Sequence, residues 1–60
     1  MDISRFLKVY ANLPVGLRNE IVVVMDGVGP MSWNTAYVEI SQETELGQQI
    51  IDKLIKMDVI

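Results

Sequence analysis

Glu20 and Glu39 are the residues of this sequence best spaced for chemistry. Glu20 precedes the apolar run Ile21-Val-Val-Val-Met25, and Glu39 falls inside a second stretch, Ala36-Tyr-Val-Glu-Ile40. If the two stretches pair as antiparallel strands, both carboxylates point to one face, and in one register they stand directly opposite. Two carboxylates so placed could bind a hard cation or share a proton as an acid-base pair. With Asp26 and Arg18 they could form an acidic site completed between subunits. The plainer reading is that register or splaying separates them and Arg18 neutralises one, because like charges directly opposite are destabilising.

The loop Asp26-Gly-Val-Gly-Pro30 follows a strand-like run, where a phosphate-cradling loop would lie. It lacks the third glycine of a dinucleotide fingerprint and the Gly-Lys-Ser/Thr of a P-loop, so it reads as a hairpin loop needing positive φ. Asp26, Gly27, Gly29 and Met31 are its candidate contacts with another molecule. Trp33 and Tyr37, four residues apart, could pack in the core, anchor a subunit contact or stack on a ligand ring. Ser32, Thr35, Ser41 and Thr44 supply hydroxyls, but the chain has neither histidine nor cysteine. The usual nucleophilic triad cannot be assembled, and zinc sites of thiolate and imidazole are excluded. Lys53 and Lys56 read as surface charges near the end of a helix. No metal-ligand set and no cofactor motif emerges, so the expected cofactor is none.

The elements that would position these residues follow from periodicity. Ile3, Phe6, Leu7 and Tyr10 mark one face of an amphipathic helix that Asp2 can cap and that Pro14 ends near Asn12. Leu13 to Asn19 is a connector with room for one helical turn. Ile21 to Met25 is short, β-branched and stopped by Asp-Gly, hence a strand, with Ile21, Val23 and Met25 on one face and Val22 and Val24 on the other. Trp33 to Ile40 is the second expected strand, because Ala36, Val38 and Ile40 alternate with Thr35, Tyr37 and Glu39. The competing reading is a helix with Trp33, Ala36, Tyr37 and Ile40 as its stripe and Ser32 as its cap. Thr44 can cap a last helix from Glu45 to Met57, with Leu46, Ile50, Leu54 and Met57 on one side. Gly47 costs that helix about 1 kcal/mol relative to alanine, which close packing would explain.

The sequence is therefore expected to form one small α+β domain over residues 1–60. The order is helix-strand-strand-helix, an antiparallel hairpin with two helices on one face. A chain this short buries only about 60% of the surface its unfolded form exposes. Small folds add disulfides, a metal or a second subunit, and without cysteine or histidine the second subunit remains. The face carrying Val22, Val24, Trp33 and Tyr37 lacks cover and is the expected interface of a homodimer or higher homo-oligomer. A net charge of -3 gives no basic field for nucleic acid. No stretch approaches the roughly 20 apolar residues of a membrane span, and a cytoplasmic protein is expected.

Val38-Glu-Ile40 followed by Glu43 to Lys56 resembles the strand and first helix of ribbon-helix-helix DNA-binding proteins. That fold needs a further helix after residue 60 and outward basic residues on its strand, and Val38-Glu-Ile40 carries no basic residue. The leading expectation is a small oligomeric interaction or regulatory module with no catalysis of its own. The alternative is an enzyme binding a small molecule or divalent metal in the acidic site between subunits.

Overall fold

The computed structural model describes residues 2–60. Helix α1 (Ile3–Asn12) leads through a short 3-10 helix (Val15–Asn19) into strands β1 (Ile21–Met25) and β2 (Gly29–Ser32), then helices α2 (Trp33–Ser41) and α3 (Glu45–Lys56). The chain is α+β, an antiparallel hairpin with helices packed against it. Among the described residues no helix is long and apolar enough to cross a membrane.

Local chemistry explains the boundaries. The Asp2 carboxylate accepts the Arg5 N–H at the start of α1, and Leu13, held extended before Pro14, ends it. The Val28 N–H donates to the Met25 carbonyl at 3.1 Å and closes the hairpin turn. Gly27, third in that turn, has φ 79°, the conformation a type II turn demands at this position.

The second strand lies earlier than the sequence suggests. Trp33 to Ile40, expected as a strand, is helical, and β1 pairs instead with Gly29–Ser32. The Ser32 hydroxyl accepts the Thr35 N–H at 3.1 Å, the capping contact that goes with the competing helical reading. The helical stripe buries Ala36 and Ile40 and leaves Val38 exposed. Glu39 is on α2, so it does not face Glu20 across the hairpin, and the strand on which the ribbon-helix-helix resemblance rests is absent. The alternation of β1 holds for Val23 and Met25, which are buried, but fails at Ile21, which is 56% exposed. Between Ile21 and Val23 the register shifts by one residue, and such a bulge turns the residues beyond it away from their expected face.

The buried cluster joins Phe6 of α1, Val23, Met25 and Met31 of the hairpin, Ala36 and Ile40 of α2, and Ile50, Ile51 and Leu54 of α3. Aromatic rings bind α1 to α2. Phe6 lies 5.9 Å from Trp33 between ring centroids, and Tyr10 stacks on Tyr37 at 4.7 Å. The Arg18 guanidinium covers the Tyr10 ring at 4.3 Å, while the Tyr10 hydroxyl donates to the Asn34 side-chain oxygen at 2.8 Å.

Helices α2 and α3 end in the same motif. At α2 the Glu43 N–H bonds Ile40 and the Thr44 N–H bonds Glu39; at α3 Asp58 bonds Ile55 and Val59 bonds Leu54. This is the Schellman pattern, which places one residue in the left-handed region and favours glycine there. Here those residues are Glu43 and Asp58, at φ 54° and 62°. Glu43→Gly should therefore raise stability by about 0.5–1 kcal/mol, the relieved strain exceeding glycine's extra chain entropy. An upward shift of the urea midpoint at unchanged slope is the expected reading. After the second motif, Ile60 packs on the core, and its carbonyl accepts from the Arg5 guanidinium at 2.6 Å.

Candidate functional site

Strand β1 is half covered. Val23 and Met25 face the core, while Val24 remains 58% exposed. Across from them α3 brings Met57, 51% exposed, just past the helix end. Ile21, Val22, Val24, Lys53 and Met57 line a groove of about 340 Å³ between strand and helix. Its walls are aliphatic apart from Lys53, whose ammonium donates to the Val24 carbonyl at 2.7 Å. That carbonyl turns away from β2, and Val24 is paired there with Pro30, whose missing N–H costs the ladder nothing at such a position.

A second depression of about 430 Å³ begins beyond Lys53 and is lined by Met25, Asp26, Gln49, Asp52, Lys53 and Lys56. Carboxylates and ammonium groups of both signs meet there. Asp52 is itself engaged, accepting from the Gln48 amide at 2.8 Å. Among the described residues no cluster of three or more carboxylates could hold a metal ion.

The structure does not gather the four residues expected to form one interface. Val22 and Val24 line the groove, whereas Trp33 and Tyr37, carried on α2, are engaged with Phe6 and Tyr10. The loop residues divide too. Asp26, Gly27 and Gly29 shape the turn and the start of β2, but Met31 is 4% exposed and belongs to the core, so its side chain is not a surface contact. The acidic set is dispersed. Glu39 accepts from the Thr44 hydroxyl at 2.8 Å, Arg18 covers Tyr10, and the Glu20 carbonyl accepts the Trp33 N–H at 3.2 Å. Only Asp26 of that set lines the charged depression.

Compared with protein-family models, curated proteins and solved structures, the chain matches none. The groove's own chemistry is that of an aliphatic surface with one cation across it.

Lys53 is the residue that sequence reasoning missed. Its place in the last turns of α3 gave it a role at the helix end. A sharper signal was available, since Lys53 is three residues after Ile50 and four before Met57, the spacing of the apolar face.

Proposed function

We propose that this chain is a self-associating interaction module with no catalytic activity of its own, forming a homodimer or higher homo-oligomer through the groove of β1 and α3. The observation that carries the reading is the groove itself, in which Ile21, Val24 and Met57 each leave more than half of their surface exposed. Clustered apolar exposure on a small domain marks a contact surface. A second copy is the occupant best supported. These 60 residues hold no cysteine or histidine, and burial against another subunit is one way in which small cores are supplemented. A contact made by one aliphatic patch on each copy suits two-fold symmetry, where the same residues serve both sides. The lack of cysteine fits a reducing compartment such as the cytoplasm.

Sedimentation equilibrium on the wild type and on Val24→Glu tests this. Val24 is exposed in the monomer, so the variant should fold normally by circular dichroism. Burying its carboxylate in an apolar contact should weaken association by a factor on the order of a hundred or more. A wild type that stays monomeric at high micromolar concentration, or a variant that associates equally well, would refute the reading.

A further inference from the structure

We infer that Lys53 guards the outer edge of β1 against pairing with β1 of a second copy, so that copies meet through side chains in the groove and not by extending the sheet. Two-stranded sheets leave each strand one unpaired edge, and an open edge is a template for another strand. Among the described residues β1 pairs with β2 alone. In an antiparallel ladder the N–H and C=O of one residue point to the same side. Val24 is paired with Pro30, which has no N–H to offer, and its carbonyl instead accepts from the Lys53 ammonium, so the polar groups of Val24 point away from β2. A second copy's strand would need that carbonyl as an acceptor, and the 2.7 Å bond from Lys53 occupies it with a charged donor.

The charges at the ends of β1 act in the same direction. Glu20 and Asp26 bracket the strand at equal distances from Val23. Antiparallel pairing of two copies over the whole apolar run would set Glu20 of each opposite Asp26 of the other. Like charges in directly opposed positions are destabilising. Lysine and acidic residues on an edge are established means of preventing strand addition. Here the lysine comes from the neighbouring helix and bonds the edge itself, while its stem forms part of the groove.

This inference rests on the self-association reading only for the native contact; the guard is read from the difference between a Lys53 variant and the wild type. Lys53→Met keeps an apolar stem in the groove and removes the donor, whereas Lys53→Arg keeps a cation. Sedimentation should show Lys53→Met associating about ten-fold or more tightly than wild type, the weight of one lost charged hydrogen bond, with Lys53→Arg unchanged. Amide hydrogen exchange identifies the mode, because strand pairing protects the Val24 N–H and groove contact does not. The Val24 amide should gain concentration-dependent protection in Lys53→Met and none in the wild type. Lys53→Ala supplies the same comparison should methionine disturb the fold, and circular dichroism verifies either variant. Unchanged association of the donor-less variants overturns the inference, as does tighter association without Val24 protection, or protection of Val24 in the associated wild type. Failure of the self-association reading would show instead in the wild type and Val24→Glu, with the Lys53 comparison still intact.

Discussion

Alanine in place of Gly47 is expected to cost the fold about 2 kcal/mol or more, the overpacking penalty exceeding a helix-propensity gain of about 1 kcal/mol. A Cβ at this position would stand 2.5 Å from the Glu39 carbonyl oxygen and 2.8 Å from its carbon. Both are backbone atoms, and they cannot step aside as a flexible side chain would. The Glu39 carbonyl also accepts the Thr44 N–H at 3.2 Å, and the Thr44 hydroxyl accepts the Gly47 N–H at 2.9 Å. A shift at residue 47 would thus disturb the end of α2 and the start of α3 together. Domains have about 0.05–0.15 kcal/mol of stability per residue, so in a chain of 60 residues the loss is a large fraction of the total. Urea denaturation of Gly47→Ala beside Gly16→Ala checks this. Nothing lies within 4 Å of a Cβ built at Gly16, and alanine there should be neutral or slightly stabilising. Equal midpoints for the two variants would contradict the close approach of α2 and α3.

Removing the ring of Phe6 should have the larger effect, about 4 kcal/mol for Phe6→Ala. Phe6 is fully buried, and its ring centroid lies 5.9 Å from both Tyr10 and Trp33. The substitution deletes core volume and one of the two aromatic contacts between α1 and α2 at once. The chain should be largely unfolded at 25 °C, with Trp33 emission shifted to the red. Phe6→Leu retains much of the volume and should keep the fold with a lowered midpoint. Wild-type emission and midpoint in Phe6→Ala would show that α1 is not part of the cooperative core.

The strongest sequence signals were those in which several physical preferences agreed. Helix α1 combined a spaced apolar stripe with a carboxylate at its head and a proline beyond its end. The last helix combined Thr44, early acid and late base with a stripe through Ile50 and Leu54. At Trp33 to Ile40 the preferences conflicted. Thr35, Tyr37, Val38 and Ile40 suit a strand, but Ser32 offered a cap and four residues fell on one helical face. Packing against α1 and α3 overrode intrinsic β preference, a common outcome because that preference depends on context. The true second strand escaped notice because Gly29-Pro30 reads as punctuation. Proline is tolerated there on an edge strand, opposite a residue whose polar groups turn outward. Exposure of Val24 was legible from alternation in β1. The Lys53 contact was not, because it joins residues 29 positions apart and depends on the tilt of α3 against the hairpin.

Ser32 ends β2 and caps α2 with the same side chain, while the Trp33 N–H, the first of that helix, reaches the Glu20 carbonyl at the head of β1. No slack chain separates sheet from helix. Hydrogen bonds tie β1 to α2 at Glu20 and Trp33 and α2 to α3 through Thr44 and Gly47. A molecule that bound β1 of the folded chain alone would shift the folding equilibrium of the whole chain, and its affinity would be expressed as resistance of the entire molecule to unfolding.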